Sequence, residues 1–228
     1  MPQTALIVGA SRGLGLGLAA AYAQRGWRVL ATARGPAPAL EQLAAEHPDR
    51  VRLEHVDIND DAEQARFADA VADERFDLLF VNAGIMGPKD QSLAALGPES
   101  VGEVMWTNAF APVRLAQRLL GQVPDGGQVA FMTSLMGSIS DNTSSGYDLY
   151  RASKAAQNML ARSFYIRDVA QRPIAVVSVH PGWVATDMGG PGAPLSVAES
   201  VDGMIAVLAR ETAPGHRFLS YRGEALGW

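Results

Sequence analysis

The sequence predicts one α/β domain, built as a doubly wound, mainly parallel seven-stranded sheet flanked by helices. Short apolar runs of strand length alternate with longer segments of helical periodicity along the chain, a pattern typical of successive β-α-β units. No low-complexity linker divides the 228 residues, and α/β chains of about 200–250 residues often form a single domain. Hydrophobic residues make up 48% of the chain, enough for a large core.

The elements follow one another in a regular order. After the first strand, Leu14, Leu18 and Tyr22 recur at helical spacing, and Gly26 ends that helix. Later helices are predicted at 38–46, 60–73, 99–121, 149–171 and 196–210, and strands at 5–8, 28–32, 51–56, 76–81, 128–132, 174–179 and 217–220. The Gly/Pro-rich stretch 189–194 predicts a mobile loop over a site.

Composition excludes several functions. Lys and Arg total 19 against 24 for Asp and Glu, a net charge of −5 that disfavours binding to nucleic acid. The absence of cysteine excludes disulfides, thiolate metal sites and a cysteine nucleophile, and the four histidines lack metal-ligand spacing. No apolar run reaches the roughly 18 residues of a membrane helix, and no basic segment precedes the first strand. We therefore expect a cytoplasmic protein without metal or membrane contacts.

A glycine-rich turn joins the first strand to the first helix. Glycines at this place let the backbone turn tightly and bring a pyrophosphate to the helix N-terminus. The spacing G-x-x-x-G-x-G differs from the usual G-x-G-x-x-G, so the prediction of dinucleotide binding rests on the strand–turn–helix context, and a turn that only packs closely is the alternative. The candidate contacts are Gly9, Ser11, Arg12, Gly13, Leu14 and Gly15.

The end of the second strand bears on the choice of cofactor. NAD sites usually carry an acid about 20 residues past the glycines, which accepts the ribose 2′-hydroxyl. No Asp or Glu occurs from 16 to 40, whereas Arg34 lies at the strand end and Arg12 lies in the turn. Guanidinium groups favour a 2′-phosphate. The sequence predicts NADP(H), with NAD(H) as the second option and ordinary surface arginines as the alternative.

A tyrosine and a lysine share one face of the helix that begins near residue 149. Tyr150 and Lys154 are four residues apart, and Ser134 ends the fifth strand, where such sheets place their ligand crevices. Tyr147 is the weaker candidate because an arginine, which cannot readily pass on a proton, follows it at the fourth position. Ser138 stays open as a minor alternative to Ser134.

With these motifs the chain resembles the short-chain dehydrogenase/reductase family, and within it the C-factor/sniffer-type carbonyl reductases. The resemblance runs from Thr4 to the C-terminus and includes, beyond the motifs above, Asn82-Ala83-Gly84, Asn108 and Pro181-Gly182. It implies a Rossmann fold with catalysis and dinucleotide binding in one domain, residues 1–228.

The resemblance also implies catalytic roles. Tyr150 would be the general acid/base, with Lys154 lowering its pKa and binding the nicotinamide ribose. Ser134 would polarise the substrate carbonyl, and Asn108 would hold a water that links Lys154 to solvent. The implied activity is NADPH-dependent reduction of a small carbonyl compound, reversible as alcohol oxidation.

Further cofactor contacts are implied by position. Asp57, followed by Ile58, would contact the adenine, with a helix cap as its alternative. The other implied contacts are Asn82, Ala83 and Gly84 on the adenosine side and Pro181, Gly182, Val184 and Thr186 on the nicotinamide side. The alternative for Asn82 is a purely structural role, and the alternative for Thr186 is capping of the segment that follows it.

Two other functional classes stay open. A catalytically weak NAD(P)-binding signalling or regulatory protein is the main alternative, and an enzyme acting on nucleotide-linked sugars is a weaker one, because the chain lacks a larger C-terminal region. The expected partner is a small carbonyl or alcohol substrate. By resemblance, we also expect a homodimer or homotetramer formed through the helices near 99–121 and 149–171.

Overall fold

The apolar runs form a central sheet. The computed structural model describes residues 2–228. Its strands are β1 (Thr4–Val8), β2 (Arg28–Ala33), β3 (Val51–His55), β4 (Leu78–Val81), β5 (Gln128–Met132), β6 (Ala175–His180) and β7 (Gly215–Ser220). They lie in the order β3-β2-β1-β4-β5-β6-β7, and every neighbouring pair is parallel. The predicted doubly wound seven-stranded Rossmann fold is confirmed, and the sheet is parallel throughout these strands.

The strand order reverses at the centre of the sheet. β1 pairs with β2 on one side and with β4 on the other, so the chain builds outward first in one direction and then in the opposite one. Connections leaving the carboxyl ends of β1 and β4 therefore diverge and leave a crevice between them. This is the place where such sheets bind ligands.

Helices cover both faces of the sheet. They are α1 (Gly13–Gln24), α2 (Pro38–Glu46), α3 (Asp61–Ala70), α4 (Pro98–Met105), α5 (Ala111–Arg118), α6 (Asp148–Phe164) and α7 (Val197–Arg210). Among the residues described, no helix is long and apolar enough to span a membrane.

Two predicted helices contain π-helical segments. Trp106–Phe110 forms one between α4 and α5, so the predicted helix at 99–121 is not a continuous α-helix. Tyr165–Val169 forms another directly after α6, within the predicted helix at 149–171. A π turn inserts one residue without ending the apolar periodicity, which is why the sequence pattern did not reveal it.

The core has two layers, one on each face of the sheet. Ile7 and Phe80 face the layer that contains α1 and α7, whereas Leu6, Leu79 and Phe131 face the layer that contains α5 and α6. Strands buried on both faces need apolar side chains at successive positions, which explains the continuous apolar runs. Each fully buried Leu, Ile or Phe contributes about 1.5–3 kcal/mol relative to an exposed one.

Candidate active site

A cleft of about 450 Å³ lies at the carboxyl ends of the central strands. Most of the predicted site residues line it: Gly9, Ser11, Arg12, Gly13, Leu14, Arg34, Asp57, Ile58, Asn82, Ala83, Gly84, Tyr150, Lys154, Pro181 and Thr186. Five predicted residues are not among its lining: Gly15, Asn108, Ser134, Gly182 and Val184. The sheet topology thus brings together segments that are distant in sequence.

The glycine turn is shaped by close backbone approaches. Gly9 has φ +84°, and a Cβ there would lie 2.8 Å from Cα of Ala83. Nδ2 of Asn82 donates to the Gly9 carbonyl at 2.6 Å, which supports the structural role considered for this asparagine. A Cβ on Gly15 would collide with the Gly9 carbonyl oxygen, so Gly15 serves the packing of the turn rather than lining the cleft.

The N-terminus of α1 fits an anionic ligand. Its first turn contains no acidic residue, and the side chain of its N-cap residue, Arg12, makes no hydrogen bond to the N-terminal amides. Such amides need an acceptor, and the helix dipole adds positive potential at the same place. Together with the close-packed glycines, this end of the cleft fits the pyrophosphate of a dinucleotide.

The two predicted phosphate-binding arginines differ. Arg12 forms an ion pair with Asp187, and both side chains are 74% exposed. Arg34 directly follows β2, lines the cleft and takes part in no ion pair within residues 2–228. Sequence reasoning missed Asp187, because nothing in the sequence links positions 12 and 187.

Asp57 combines a local role with a place in the cleft. Its Oδ1 accepts a hydrogen bond from the backbone N–H of Asn59 at 2.9 Å. The N-cap of α3 is Asp60, whose carboxylate accepts from the Glu63 N–H at 2.9 Å. The helix-cap alternative for Asp57 is therefore wrong, and its carboxylate orders a turn that lines the cleft.

Lys154 is almost completely buried. Its Nζ donates to the Met132 carbonyl at 2.9 Å and to Oε1 of Gln157 at 3.0 Å. It lies 5.8 Å from the centroid of the Tyr150 ring. Burial disfavours the ammonium and lowers the pKa of Lys154 to about 7.

The electrostatics of Tyr150 differ from the expectation. Burial raises the pKa of Tyr150 to about 12, and a hydrogen bond with the Ser134 side chain opposes part of that rise. We expected Lys154 to lower this pKa. The net shift is upward instead, because burial penalises the phenolate more strongly than the hydrogen bond with Ser134 offsets. In this structure Tyr150 is a protonated phenol at neutral pH.

Ser134, rather than Ser138, is the serine associated with the phenol. Ser134 follows β5, and its Oγ accepts from the Met136 N–H at 3.1 Å. The Ser138 hydroxyl accepts from the Asp141 N–H at 3.0 Å and lies 3.3 Å from Oγ of Ser140. Because Ser138 is engaged in its own loop, the geometry favours Ser134 as the partner of Tyr150.

Asn108 lies fully buried in the π-helical segment behind the cleft. Its Oδ1 accepts from the Ile85 N–H at 2.7 Å, and its Nδ2 donates to the Ile85 carbonyl at 2.7 Å and to Oγ of Ser153 at 3.0 Å. Both amide hydrogens are therefore used. These contacts fix the loop after β4, and the expected role of Asn108 in holding a water stays a prediction.

The loop after β6 is held by its own contacts. Oγ1 of Thr186 accepts from the Gly189 N–H at 3.1 Å, so this threonine has the local capping role considered for it as well as a place in the cleft. Val184 is buried and bridges to Leu195. At Gly182, φ +84° and close contact with Leu195 require glycine. Gly182 and Val184 therefore shape the loop rather than line the cleft.

Comparison with known proteins adds to this geometry. A sequence profile of the short chain dehydrogenases matches residues 3–193. The C-signal protein of Myxococcus xanthus is 39% identical over 169 residues, which cover 71% of this chain and 98% of that protein. A crystal structure of a carbonyl reductase from Pseudomonas aeruginosa in complex with NADP superposes with a TM-score of 0.91 at 43% identity. The carbonyl reductase Sniffer of D. melanogaster superposes with a TM-score of 0.86 at 31% identity. Each of these two superpositions covers 100% of both chains.

Proposed function

The chain belongs to the short-chain dehydrogenase/reductase family, and we propose that it reduces small carbonyl compounds with NADPH and oxidises the corresponding alcohols in reverse. It is an oxidoreductase of this family. The observation that carries the specific proposal is the buried pair Tyr150 and Lys154 in the dinucleotide cleft, with Ser134 beside the phenol. One domain then serves both cofactor binding and catalysis.

NADP(H) is the preferred cofactor. Arg34 offers a guanidinium free of ion pairs among the described residues at the end of β2, where an acid would repel a 2′-phosphate. The related carbonyl reductase from Pseudomonas aeruginosa was crystallised in complex with NADP. NAD(H) is the weaker alternative, since it lacks the phosphate that this arginine would bind.

Reduction requires a hydride at carbon and a proton at oxygen. The nicotinamide, when bound, supplies the hydride. Tyr150 supplies the proton, because its raised pKa keeps the phenol protonated and the alkoxide that forms is the stronger base. The Ser134 hydroxyl donates a hydrogen bond to the substrate oxygen as negative charge develops there. In its ammonium form, Lys154 stabilises the resulting phenolate across the 5.8 Å between Nζ and the ring centroid.

Incubation of the purified protein with NADPH and a panel of aldehydes and ketones tests the proposal. We expect NADPH oxidation with at least one carbonyl, faster than with NADH at equal concentration. Absence of turnover across the panel would contradict the function, and equal rates with NADH would contradict the cofactor assignment.

A signalling or regulatory protein of the same fold is the competing candidate. The relative named C-signal favours it. Such a protein would bind NADPH, yet replacing Lys154 with alanine would change only affinity, because there would be no turnover to lose. The presence of Asn108, Ser134, Tyr150 and Lys154 together favours catalysis over this alternative.

We further propose a cytoplasmic homodimer or homotetramer. Two exposed aromatic rings, Trp106 and Phe110, stack with centroids 6.1 Å apart. Met159 on α6 and Ile166 in the π-helical segment that follows α6 are exposed as well. A second copy that covered these helices would bury this apolar surface. Light scattering should give at least twice the 24.2 kDa monomer mass. Phe110→Glu should lower it, and a monomeric wild-type protein would contradict the proposal.

A further inference from the structure

The helix that carries Tyr150 begins without a cap of its own. Tyr147 occupies the N-cap position, and no side chain at that position accepts from the helix amides. Tyr147 is also the one non-glycine residue within 2–228 that has positive φ, at 57°. A helix leaves its first four N–H groups without partners inside the helix. The N–H groups at the start of α6 therefore depend on acceptors from elsewhere.

Gln91 provides one of these acceptors from a distant loop. Its Oε1 accepts a hydrogen bond from the Tyr150 N–H at 2.8 Å, across 59 positions of sequence. Its Nε2 donates to the carbonyls of Met86 at 2.8 Å and Pro88 at 3.1 Å. Because Nε2 faces two carbonyls, only one orientation of the amide satisfies all three bonds. Gln91 is 4% exposed, so no water replaces it readily.

The carbonyl of the same tyrosine is fixed as well. Oγ of Ser153 donates to the Tyr150 carbonyl at 2.8 Å and accepts from Nδ2 of Asn108 at 3.0 Å. Asn108 in turn bonds both the N–H and the carbonyl of Ile85. Both backbone groups of Tyr150 are thus tied, through Gln91 and through Ser153, to the loop of residues 85–91 between β4 and α4.

We propose that Gln91 is a positioning residue that sets the place of the Tyr150 phenol in the cleft. This proposal rests on the proposed function, since it assigns the position of the proton donor. The side chain of Tyr150 follows its backbone, and a shift of the first turn of α6 would move the hydroxyl relative to Ser134. Misplacement of a reacting group by about 1 Å can reduce the rate by about 100-fold.

Three substitutions test the proposal. Gln91→Met keeps the size of the side chain but removes the acceptor and both donors. Gln91→Glu keeps an acceptor for the Tyr150 N–H but turns its second oxygen towards the Met86 and Pro88 carbonyls, so it should recover part of the activity only where the carboxyl is protonated and donates to one of them. Gln128→Met is the matched control. Gln128 is also buried and donates to two carbonyls, those of Leu208 at 3.3 Å and Glu211 at 2.8 Å, at the amino end of β5, opposite to the strand ends that form the cleft.

Steady-state kinetics and thermal unfolding separate positioning from stability. We expect Gln91→Met to lower kcat by about 10- to 100-fold while the Kd for NADPH stays unchanged. Gln128→Met should lower Tm and leave kcat of the folded protein unchanged. Equal loss of kcat in both variants, or unchanged kcat in Gln91→Met, would overturn the proposal. If Gln91→Met does not fold, Gln91→Asn replaces it, because its shorter amide cannot reach the Tyr150 N–H.

Amide hydrogen exchange keeps this test distinct from the test of function. The Tyr150 N–H should exchange faster in Gln91→Met than in the wild-type protein and at the wild-type rate in Gln128→Met. A wild-type protein without turnover would refute the proposed function and with it the role in catalysis. Unchanged exchange in Gln91→Met would refute the positioning by itself, whatever the activity.

Discussion

The two ends of the cleft use charge in opposite ways. At the end of the cleft beside the glycine turn, Arg12 and Arg34 are exposed, so water screens their fields. At the end beside α6, Tyr150 and Lys154 are buried, and burial moves the pKa of the tyrosine to about 12 and that of the lysine to about 7. In the proposed function, the exposed charges contribute small free energies to the selection of the cofactor, whereas the buried groups contribute large ones to proton transfer.

This difference explains why the two ends tolerate substitution differently. An exposed arginine can be replaced at a cost confined to the contact it makes. A buried group affects its neighbours as well, because each remaining polar atom then lacks a partner in a medium that cannot replace it. We therefore expect the effects of substitution to decrease from the Tyr150–Lys154 pair towards the pair of Arg12 and Asp187.

Loss of the Tyr150 hydroxyl should have the largest effect. Tyr150→Phe removes the proton donor without changing the ring, and general acid catalysis contributes about 10²- to 10⁴-fold to rate. We expect kcat to fall within that range while NADPH binding, measured by fluorescence, persists. Tyr147→Phe is the control, since Tyr147 is half exposed and should leave kcat unchanged. Full activity in Tyr150→Phe would contradict the assigned role.

Lys154 should make stability depend on pH in a recognisable window. Its pKa is about 7 in the folded protein and about 10.4 in an unfolded chain, so between these values the unfolded state binds more protons. Stability therefore rises as pH rises from 7 towards 10, by up to about 1.4 kcal/mol per pH unit. Urea unfolding at pH 7, 8 and 9 measures the free energy of unfolding.

Replacement of the lysine isolates this contribution. Lys154→Met should remove the rise in stability between pH 7 and 9 and abolish turnover. Lys89→Met, which changes an exposed lysine, should leave the pH dependence as in the wild-type protein. If Lys154→Met kept the same rise, the lysine would not be buried in its neutral form.

The sequence predicted the fold and much of the site for physical reasons. Strands buried on both faces must be apolar at successive positions, and the spacing of Tyr150 and Lys154 places both on one helical face. The direction of the pKa shift of Tyr150 was not predictable, because it depends on depth of burial. The pairing of Arg12 with Asp187 was not predictable either, because it requires the loop after β6 to reach the glycine turn.

On the adenosine side, Arg34 should give an intermediate effect. A hydrogen bond to a charged group contributes about 1.5–3 kcal/mol to the free energy of binding. Because Arg34 is exposed, we expect its contribution at the lower end of this range. We expect Arg34→Ala to raise the Kd for NADPH by about tenfold and to leave that for NADH unchanged. Arg28→Ala is the control, because Arg28 is exposed at the opposite end of the same strand. Equal losses for both cofactors would mean that Arg34 does not contact the 2′-phosphate.

Loss of the ion pair between Arg12 and Asp187 should give the smallest effect, and it should strengthen NADPH binding rather than weaken it. Exposed ion pairs contribute about 0–1 kcal/mol, so Asp187→Asn should tighten NADPH binding by no more than about fivefold as Arg12 becomes available to a phosphate. The gain should shrink at high salt, since salt screens exposed charges. Asp202→Asn, which breaks the exposed pair with Arg25, should leave the Kd unchanged. Weaker binding in Asp187→Asn would mean that the ion pair closes the loop over the cofactor instead of competing for it.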